Sequence, residues 1–113
     1  MNRLVSGVSL LALFACASTP PTAEQSLAKQ LAHCGVVATN LARTDGKYQQ
    51  WASNFLGAAQ TLAPRDAVLQ MMMNDPSTPP NTAQQRIAAE KEVDGCQKLM
   101  FDNMDKFGGG KRP

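Results

Sequence analysis

Two cysteines, Cys34 and Cys96, each occupy the middle of an apolar stripe that has the spacing of an α-helix. In both stripes apolar residues recur every three or four positions, which places them on one face of a helix. A disulfide between the two cysteines would join these faces near their midpoints, and this limits how the chain can fold. The stripes consist of Leu27, Leu31, Cys34, Ala38 and Leu41, and of Ala89, Val93, Cys96, Met100, Met104 and Phe107.

The chain divides into four predicted helices and shows no convincing strand pattern. Thr22 with Gln25, and Thr82 with Gln85, match the capping box that begins a helix. Gly35 interrupts the first helix, which indicates that a neighbouring helix or ring comes close to it. Prolines separate the third and fourth helices, where we expect a rigid polar loop. The predicted helices cover residues 23–43, 47–62, 64–73 and 83–107, with the loop at 74–81.

These segments predict an all-α fold, a small four-helix bundle of three long helices and one short helix with one disulfide. If the helices alternate in direction, the first and last become antiparallel neighbours, and Cys34 then meets Cys96. The second helix carries the single Tyr and the single Trp of the chain, so it should supply most of the aromatic burial. The predicted domain at 23–107 is small enough to need a covalent link for stability.

Residues 1–17 have the composition of a bacterial secretory signal peptide. One positive charge precedes the apolar run at 4–14, which is too short to span a bilayer. Two cleavages are compatible with the sequence. The first lies before Cys16, in a lipobox-like motif that would lipidate this cysteine, and the second lies after Ala17, in an A-x-A motif. Residues 18–22 would then form a short tether in front of the domain.

Lipidation of Cys16, or its removal with the signal, leaves Cys34 and Cys96 as the remaining pair. An exported protein is expected to oxidise such a pair. The disulfide would close a loop of about 60 residues and stabilise the fold by about 4 kcal/mol in the chain-entropy model. The residue after Cys16 is Ala17 and not an aspartate, which favours the outer membrane as the location of the lipidated form. Cleavage after Ala17 would instead give a soluble periplasmic or secreted protein.

The charge pattern argues against nucleic-acid binding. The formal net charge is +2, but loss of Arg3 with the signal leaves 10 basic residues against 9 acidic ones. Lys111 and Arg112 fall in a glycine-rich tail at 108–113, which we expect to be flexible and separate from the domain. The sequence shows no cluster of Lys and Arg on one helix face, as nucleic-acid binding requires.

His33 is the single histidine, and it limits the catalytic chemistry. It precedes Cys34 in the predicted helix, so the two side chains point about 100° apart and do not form a nucleophile–base pair. We expect a surface residue beside the disulfide, with a pH-sensitive contact or a general base as the alternatives. The carboxylates are scattered along solvated helix faces, without the pairing that acid–base catalysis needs. The sequence therefore predicts a protein that is not an enzyme and that needs no cofactor.

Methionines supply the remaining chemical motif. Met71, Met72 and Met73 are consecutive on a short helix, so at least one must be exposed, which suggests a contact surface for another protein. Met100 and Met104 are one turn apart and are expected to share a helix face. Thioether sulfur is a soft ligand that favours copper(I), so a periplasmic carrier of this metal or of a small ligand is the alternative function.

The leading hypothesis is a small bacterial envelope protein that binds another envelope protein without catalysis. Cys16 would supply a lipid anchor, and an inhibitor-like or immunity-like factor would fit the description. This hypothesis depends mainly on the poor inventory of catalytic groups. It also depends on the expectation that small helical domains with a disulfide present binding surfaces to larger partners.

Overall fold

A computed structural model of the chain describes residues 22–107, which form four α-helices and no strand. The predicted all-α class and its four helices are confirmed over this part of the chain. The signal peptide, Cys16, residues 18–21 of the tether and the tail at 108–113 lie outside the described residues. The helices are α1 (Ala23–Ala42), α2 (Lys47–Leu62), α3 (Arg65–Met73) and α4 (Ala83–Asp102), followed by a short 3₁₀ turn at Met104–Lys106.

The helix boundaries agree with the sequence prediction to within one residue, except at the end of α4. The apolar stripe continues through Phe107 and predicts a helix to that residue, but α4 ends at Asp102. Asn103 explains the difference, because its side-chain Nδ2 donates to the carbonyl of Leu99 at 2.8 Å. An Asn side chain that bonds the backbone in this way competes with the helical ladder and favours termination. The chain then makes a 3₁₀ turn, which returns the Phe107 side chain to the core.

Thr22 begins α1 with the complete capping box that its sequence predicts. Its Oγ1 accepts from the backbone N–H of Gln25 at 3.1 Å, and Gln25 Oε1 accepts from the N–H of Thr22 at 2.9 Å. Thr82 makes only the first of these bonds at α4, since its Oγ1 accepts from Gln85 N at 3.0 Å. The Gln85 side chain accepts instead from the N–H of Asn81, at 2.7 Å. Both threonines therefore satisfy N–H groups that the helix itself leaves without a partner.

The first helix, α1, is the centre of the bundle. The other three helices all pack against it, and the packing of α2 is the most extensive. Gly35 permits this close packing, because a Cβ at this position would lie 2.6 Å from Cγ of Leu56 on α2. The predicted close approach at Gly35 is therefore confirmed. The buried residues of α1 are Leu27, Ala28, Leu31, Ala32, Cys34, Gly35, Val37, Ala38 and Leu41.

The last helix, α4, is joined to α1 by the Cys34–Cys96 disulfide, whose Cα atoms are 5.9 Å apart. The predicted disulfide is thus confirmed. Val37 and Asn40, which follow Cys34 on α1, face Gln85 and Ala88, which precede Cys96 on α4, so the two helices run antiparallel. Within residues 22–107, no helix is long and apolar enough to cross a membrane.

Packing of α4 is uneven along its length. Residues 83–88 are all exposed, and the first buried side chain of the helix is Val93. Beyond it, only Cys96 and Met100 are buried within the helix. The N-terminal half of α4 therefore depends on polar contacts and on the disulfide for its position against α1.

Candidate functional site

An open groove of about 980 Å³ runs along α1, between α3 on one side and α4 on the other. Both flanking helices pack on α1 but make little contact with each other. The disulfide and the side chains of Met71 and Leu99 give the groove an apolar floor. Lys29, Gln30, Gln70 and Glu92 line its polar edges. We refer to this feature as the α1 groove.

Gly95 lines the α1 groove in the middle of α4, directly before Cys96. A glycine inside a helix costs about 1 kcal/mol relative to alanine. At Gly35 the packing of a neighbouring helix explains this cost, but a Cβ at Gly95 would meet no atom within 4 Å. The fold of residues 22–107 therefore does not require a glycine here. Its effect is to leave the groove open beside the disulfide.

A histidine between two carboxylates lies at the edge of the groove and joins three parts of the chain. His33 is on α1, Asp75 follows α3, and Glu92 is on α4. The Nδ1 of His33 lies 2.7 Å from Oδ2 of Asp75, and its Nε2 forms a hydrogen bond with Oε2 of Glu92. Asp75 also accepts from the backbone N–H of Ser77 at 2.9 Å. We call the group of His33, Asp75 and Glu92 the His33 clasp.

The geometry of the His33 clasp requires a protonated imidazole. A carboxylate only accepts hydrogen bonds, and a neutral imidazole has a single N–H, so both contacts are donated only by the imidazolium. Desolvation lowers the pKa of His33, but the hydrogen bonds to Glu92 and Asp75 and their negative charges outweigh it and raise the pKa above its usual 6.5. Desolvation raises the pKa of Asp75, but hydrogen bonds from Ser77 and the interaction with His33 lower it overall.

The contacts of His33 do not form a hydrolytic triad. Ser77 Oγ lies 3.3 Å from Nδ1, the same nitrogen that faces Asp75. A serine nucleophile needs the opposite ring nitrogen as its base, and here Glu92 occupies that nitrogen. The two carboxylates also lie on opposite sides of the ring, so they do not converge on one ion. Among residues 22–107, no group of three or more His, Cys, Asp or Glu side chains is arranged to hold a metal.

The structure separates the methionines that the sequence groups together. Met73 is 77% exposed, whereas Met71 and Met72 are half-buried against the core, and Met71 also lines the α1 groove. Met100 is buried, whereas Met104 is 51% exposed and lies in the 3₁₀ turn beyond the end of α4. The expectation that Met100 and Met104 share one helix face therefore fails because α4 ends before Met104. Copper(I) binding stays a prediction without a supporting contact.

Sequence reasoning missed the His33 clasp, although a signal for it was present. It treated His33 as a surface residue, with a pH-sensitive contact or a general base as the alternatives, and placed the carboxylates on solvated helix faces. Once Cys34 is paired with Cys96, the residue next to Cys34 lies within about one turn of Cys96, on either side of it. Glu92 is four residues before Cys96 and therefore shares its face. Asp75 gave no such signal, because the path of the proline-rich loop is set by tertiary contacts.

Over residues 22–107, the fold and the site define a small all-α protein with one disulfide and an open groove between two helices that both pack on α1. No family model matches this chain, and no curated protein or solved structure shows significant similarity to it.

Proposed function

We propose that the protein is an exported, non-catalytic binding factor of the bacterial envelope, and that it holds an α-helix of another envelope protein in the α1 groove. The observation that carries this proposal is the groove itself, with an apolar floor, polar edges and Gly95 in its wall. An apolar groove with a polar edge suits an amphipathic helix, whose apolar face fills the groove while its polar face stays in water.

The size of the groove supports a helix as the occupant. An α-helix is 10–12 Å wide and rises 5.4 Å per turn, so two turns occupy about 1,000 Å³. The α1 groove has a volume of about 980 Å³ and is open to solvent, so it is large enough to seat one face of a short helix. Because α3 and α4 both rest on α1 without packing on each other, a helix between them would complete the layer around α1. Binding would then repeat the helix-on-helix packing that already stabilises this fold.

Gly95 supports the same occupant. Small residues at a helix surface let the backbone of a second helix come close. Gly95 faces open space in the groove and has no structural explanation within the fold. The loss of helix stability that Gly95 causes in α4 is explained if a partner helix packs against it. The neighbouring disulfide gives that helix a rigid apolar surface.

The location of the protein in the envelope is proposed from the sequence. Residues 1–17 resemble a signal peptide, and Cys16 lies where a lipoprotein cysteine would be. The Cys34–Cys96 disulfide fits an oxidising compartment, where such bonds persist. Lipidation at Cys16, followed by a short tether, would anchor the domain at the outer membrane and facing the periplasm.

Crosslinking in living cells tests the groove. We expect a photoreactive amino acid in place of exposed Gln70, which lines the groove, to give one discrete crosslinked product. Gly95→Gln places a side chain in the groove and should reduce this product about tenfold, which corresponds to about 1.4 kcal/mol of binding free energy. The crosslinked peptide of the partner, identified by mass spectrometry, should belong to an amphipathic helix.

Gly57→Gln is the matched control for this experiment. Gly57 is also an exposed mid-helix glycine with no atom within 4 Å of an added Cβ, but it lies on α2, outside the groove. Both substitutions should raise the free energy of unfolding by about 0.5–1 kcal/mol, because Gln is the better helix former. Only Gly95→Gln should reduce the crosslink. Equal yields in the two variants, or no discrete product from Gln70, would refute the proposal.

A fatty-acid label tests the anchor at Cys16. We expect cells fed a clickable fatty-acid analogue to label the protein, and we expect Cys16→Ser to abolish the label. The double substitution Cys34→Ser with Cys96→Ser is the control, since it should retain the label. An unlabelled protein whose mature chain starts at Ser18 would contradict lipidation and would show instead that the signal is cleaved after Ala17.

A further inference from the structure

The two ends of one segment of the chain meet at the same histidine. Asp75 directly precedes the segment at 76–91 and Glu92 directly follows it, and both carboxylates bond His33 on α1. We call residues 76–91 the strap. The disulfide fixes α4 at Cys96, one turn after Glu92, so α4 is anchored independently just beyond the strap.

The strap has few other attachments to α1. Within its helical part, residues 83–88 are exposed, Ile87 among them, and only Ala89 and Glu90 are half-buried. Beneath it lies a second cavity of about 320 Å³, lined by Val37 and Asn40 of α1 and by strap residues. Asn40 Nδ2 is buried at this cavity and has no hydrogen-bond partner within residues 22–107. Apolar burial therefore does little to hold the strap against α1.

Among the charged groups of the His33 clasp and its surroundings, His33 is the one whose charge changes near neutral pH. Asp75 from the loop and Glu92 from α4 face its two nitrogens, and Lys29 lines the same groove one turn earlier on α1. The groove residues from α3 are Gln70 and Met71, which carry no charge. Carboxylates and lysine keep their charge between about pH 5 and 8, whereas a histidine titrates there.

We propose that protonation of His33 fastens the strap to α1, and that loss of this proton releases Glu92 and lets the strap open while the disulfide keeps α4 attached. A neutral His33 has one N–H, which stays on Nδ1 because Asp75 is largely buried and is also held by Ser77. Nε2 then presents a lone pair to a carboxylate, which repels it. Glu92, with its side chain 46% exposed, turns into solvent.

The direction of the pH dependence follows from the raised pKa of His33. A group whose pKa is higher in the folded state adds stability that is fully present below its unfolded value, here 6.5. That stability is lost as the pH rises through the folded value. The strap is therefore fastened in acid and opens in the window from neutral to mildly alkaline pH. His33 and Glu92 also line the α1 groove, so binding of a partner helix would become pH-dependent, a consequence that rests on the proposed function.

Hydrogen exchange of the oxidised, processed protein tests this device without any partner. Amide exchange within residues 76–91 is measured at about pH 5.5 and about pH 8.5, on either side of the usual histidine pKa, and corrected for the intrinsic rate. We expect the corrected exchange rate of the strap amides to be about tenfold higher at the higher pH. His33→Gln should leave the strap open at both values. Glu92→Gln should close it at both, because a Gln amide donates to the neutral Nε2.

Asp102→Asn is the control variant for the exchange experiment. It breaks the exposed ion pair of Asp102 with Lys98, at 2.9 Å on the same helix, but it does not touch the strap. Its exchange should match that of the unaltered protein at both pH values. Equal protection of the strap at the two pH values, or a pH dependence that persists in His33→Gln or Glu92→Gln, overturns the inference. Because no partner is present, a failure of this inference would not contradict the proposal that the α1 groove binds a helix.

Discussion

Replacing both Cys34 and Cys96 with alanine should lower the free energy of unfolding by about 4 kcal/mol. The disulfide joins residues 62 positions apart, and closing a loop of that length restricts the unfolded chain. Small domains unfold with a total of about 5–15 kcal/mol, so this one bond supplies a large part of the stability. About 1–11 kcal/mol would remain, so we expect the variant to stay folded in water but to unfold at a much lower urea concentration.

Loss of the disulfide should release α4 before the rest of the domain. α1 and α2 share a continuous apolar interface, whereas α4 buries only Val93, Cys96 and Met100 along its length. The N-terminal half of α4 is mostly exposed, and its contacts with the rest of the domain are the hydrogen bond of Glu92 and the partly buried Ala89. Without the bond at Cys96, the few remaining contacts are left to offset the conformational entropy of 20 ordered residues.

Urea denaturation and hydrogen exchange measure these two effects. The oxidised protein and the double-alanine variant are compared with and without a reductant, and the variant should not respond to the reductant. Exchange should rise first in α4 and only later in α1 and α2. If the variant unfolds at the same urea concentration as the oxidised protein, the disulfide is not the main support of α4.

Local sequence patterns were sufficient to predict most of the fold. The spacing around Leu31 and Cys34 identified α1, because this helix buries one continuous face. The two cysteines then determined which helices are neighbours. Thr22 fixed the start of α1 through a cap that needs only residues three positions apart.

The features that sequence did not predict depend on long-range contacts. The end of α4 is set by Asn103 bonding the backbone, in competition with an apolar pattern that continues to Phe107. The α1 groove exists because α3 and α4 pack on α1 with little contact between them, and this spacing is set by tertiary packing that no local pattern encodes. The His33 clasp joins residues 42 and 59 positions apart, and its Asp75 side lies in a loop without periodicity.

The disulfide, the groove and the His33 clasp are parts of one arrangement. Cys34 and Cys96 form the groove floor, Gly95 opens its wall, and His33 and Glu92 stand at its edge. Gly95, His33 and Glu92 each lie within about one helical turn of a disulfide cysteine on the same helix. The bond therefore stabilises the fold at the place where we propose that a partner helix binds, and its loss should weaken binding together with stability.

Phe55→Ala should lower the free energy of unfolding by about 3–5 kcal/mol, the usual cost of removing a fully buried aromatic ring. Phe55 is 0% exposed and is the largest completely buried side chain between residues 22 and 107. Its ring stacks on that of Trp51, with 5.6 Å between the centroids. The buried neighbours along α2 include Ala52, Ala58 and Ala59, whose small side chains do not reach into the cavity that the substitution leaves.

Phe101→Ala is the matched control, because it removes the same ring from the other side of Trp51. Phe101 packs edge-on to that indole, at 6.2 Å between centroids, but its side chain is 58% exposed. Exposed apolar contacts contribute little, so this substitution should cost less than about 1 kcal/mol. Trp51, the single tryptophan, reports both transitions by fluorescence during urea denaturation. Equal losses in the two variants would show that the core is not centred on Phe55, whereas a loss confined to Phe55→Ala supports the α1–α2 interface as the main source of stability.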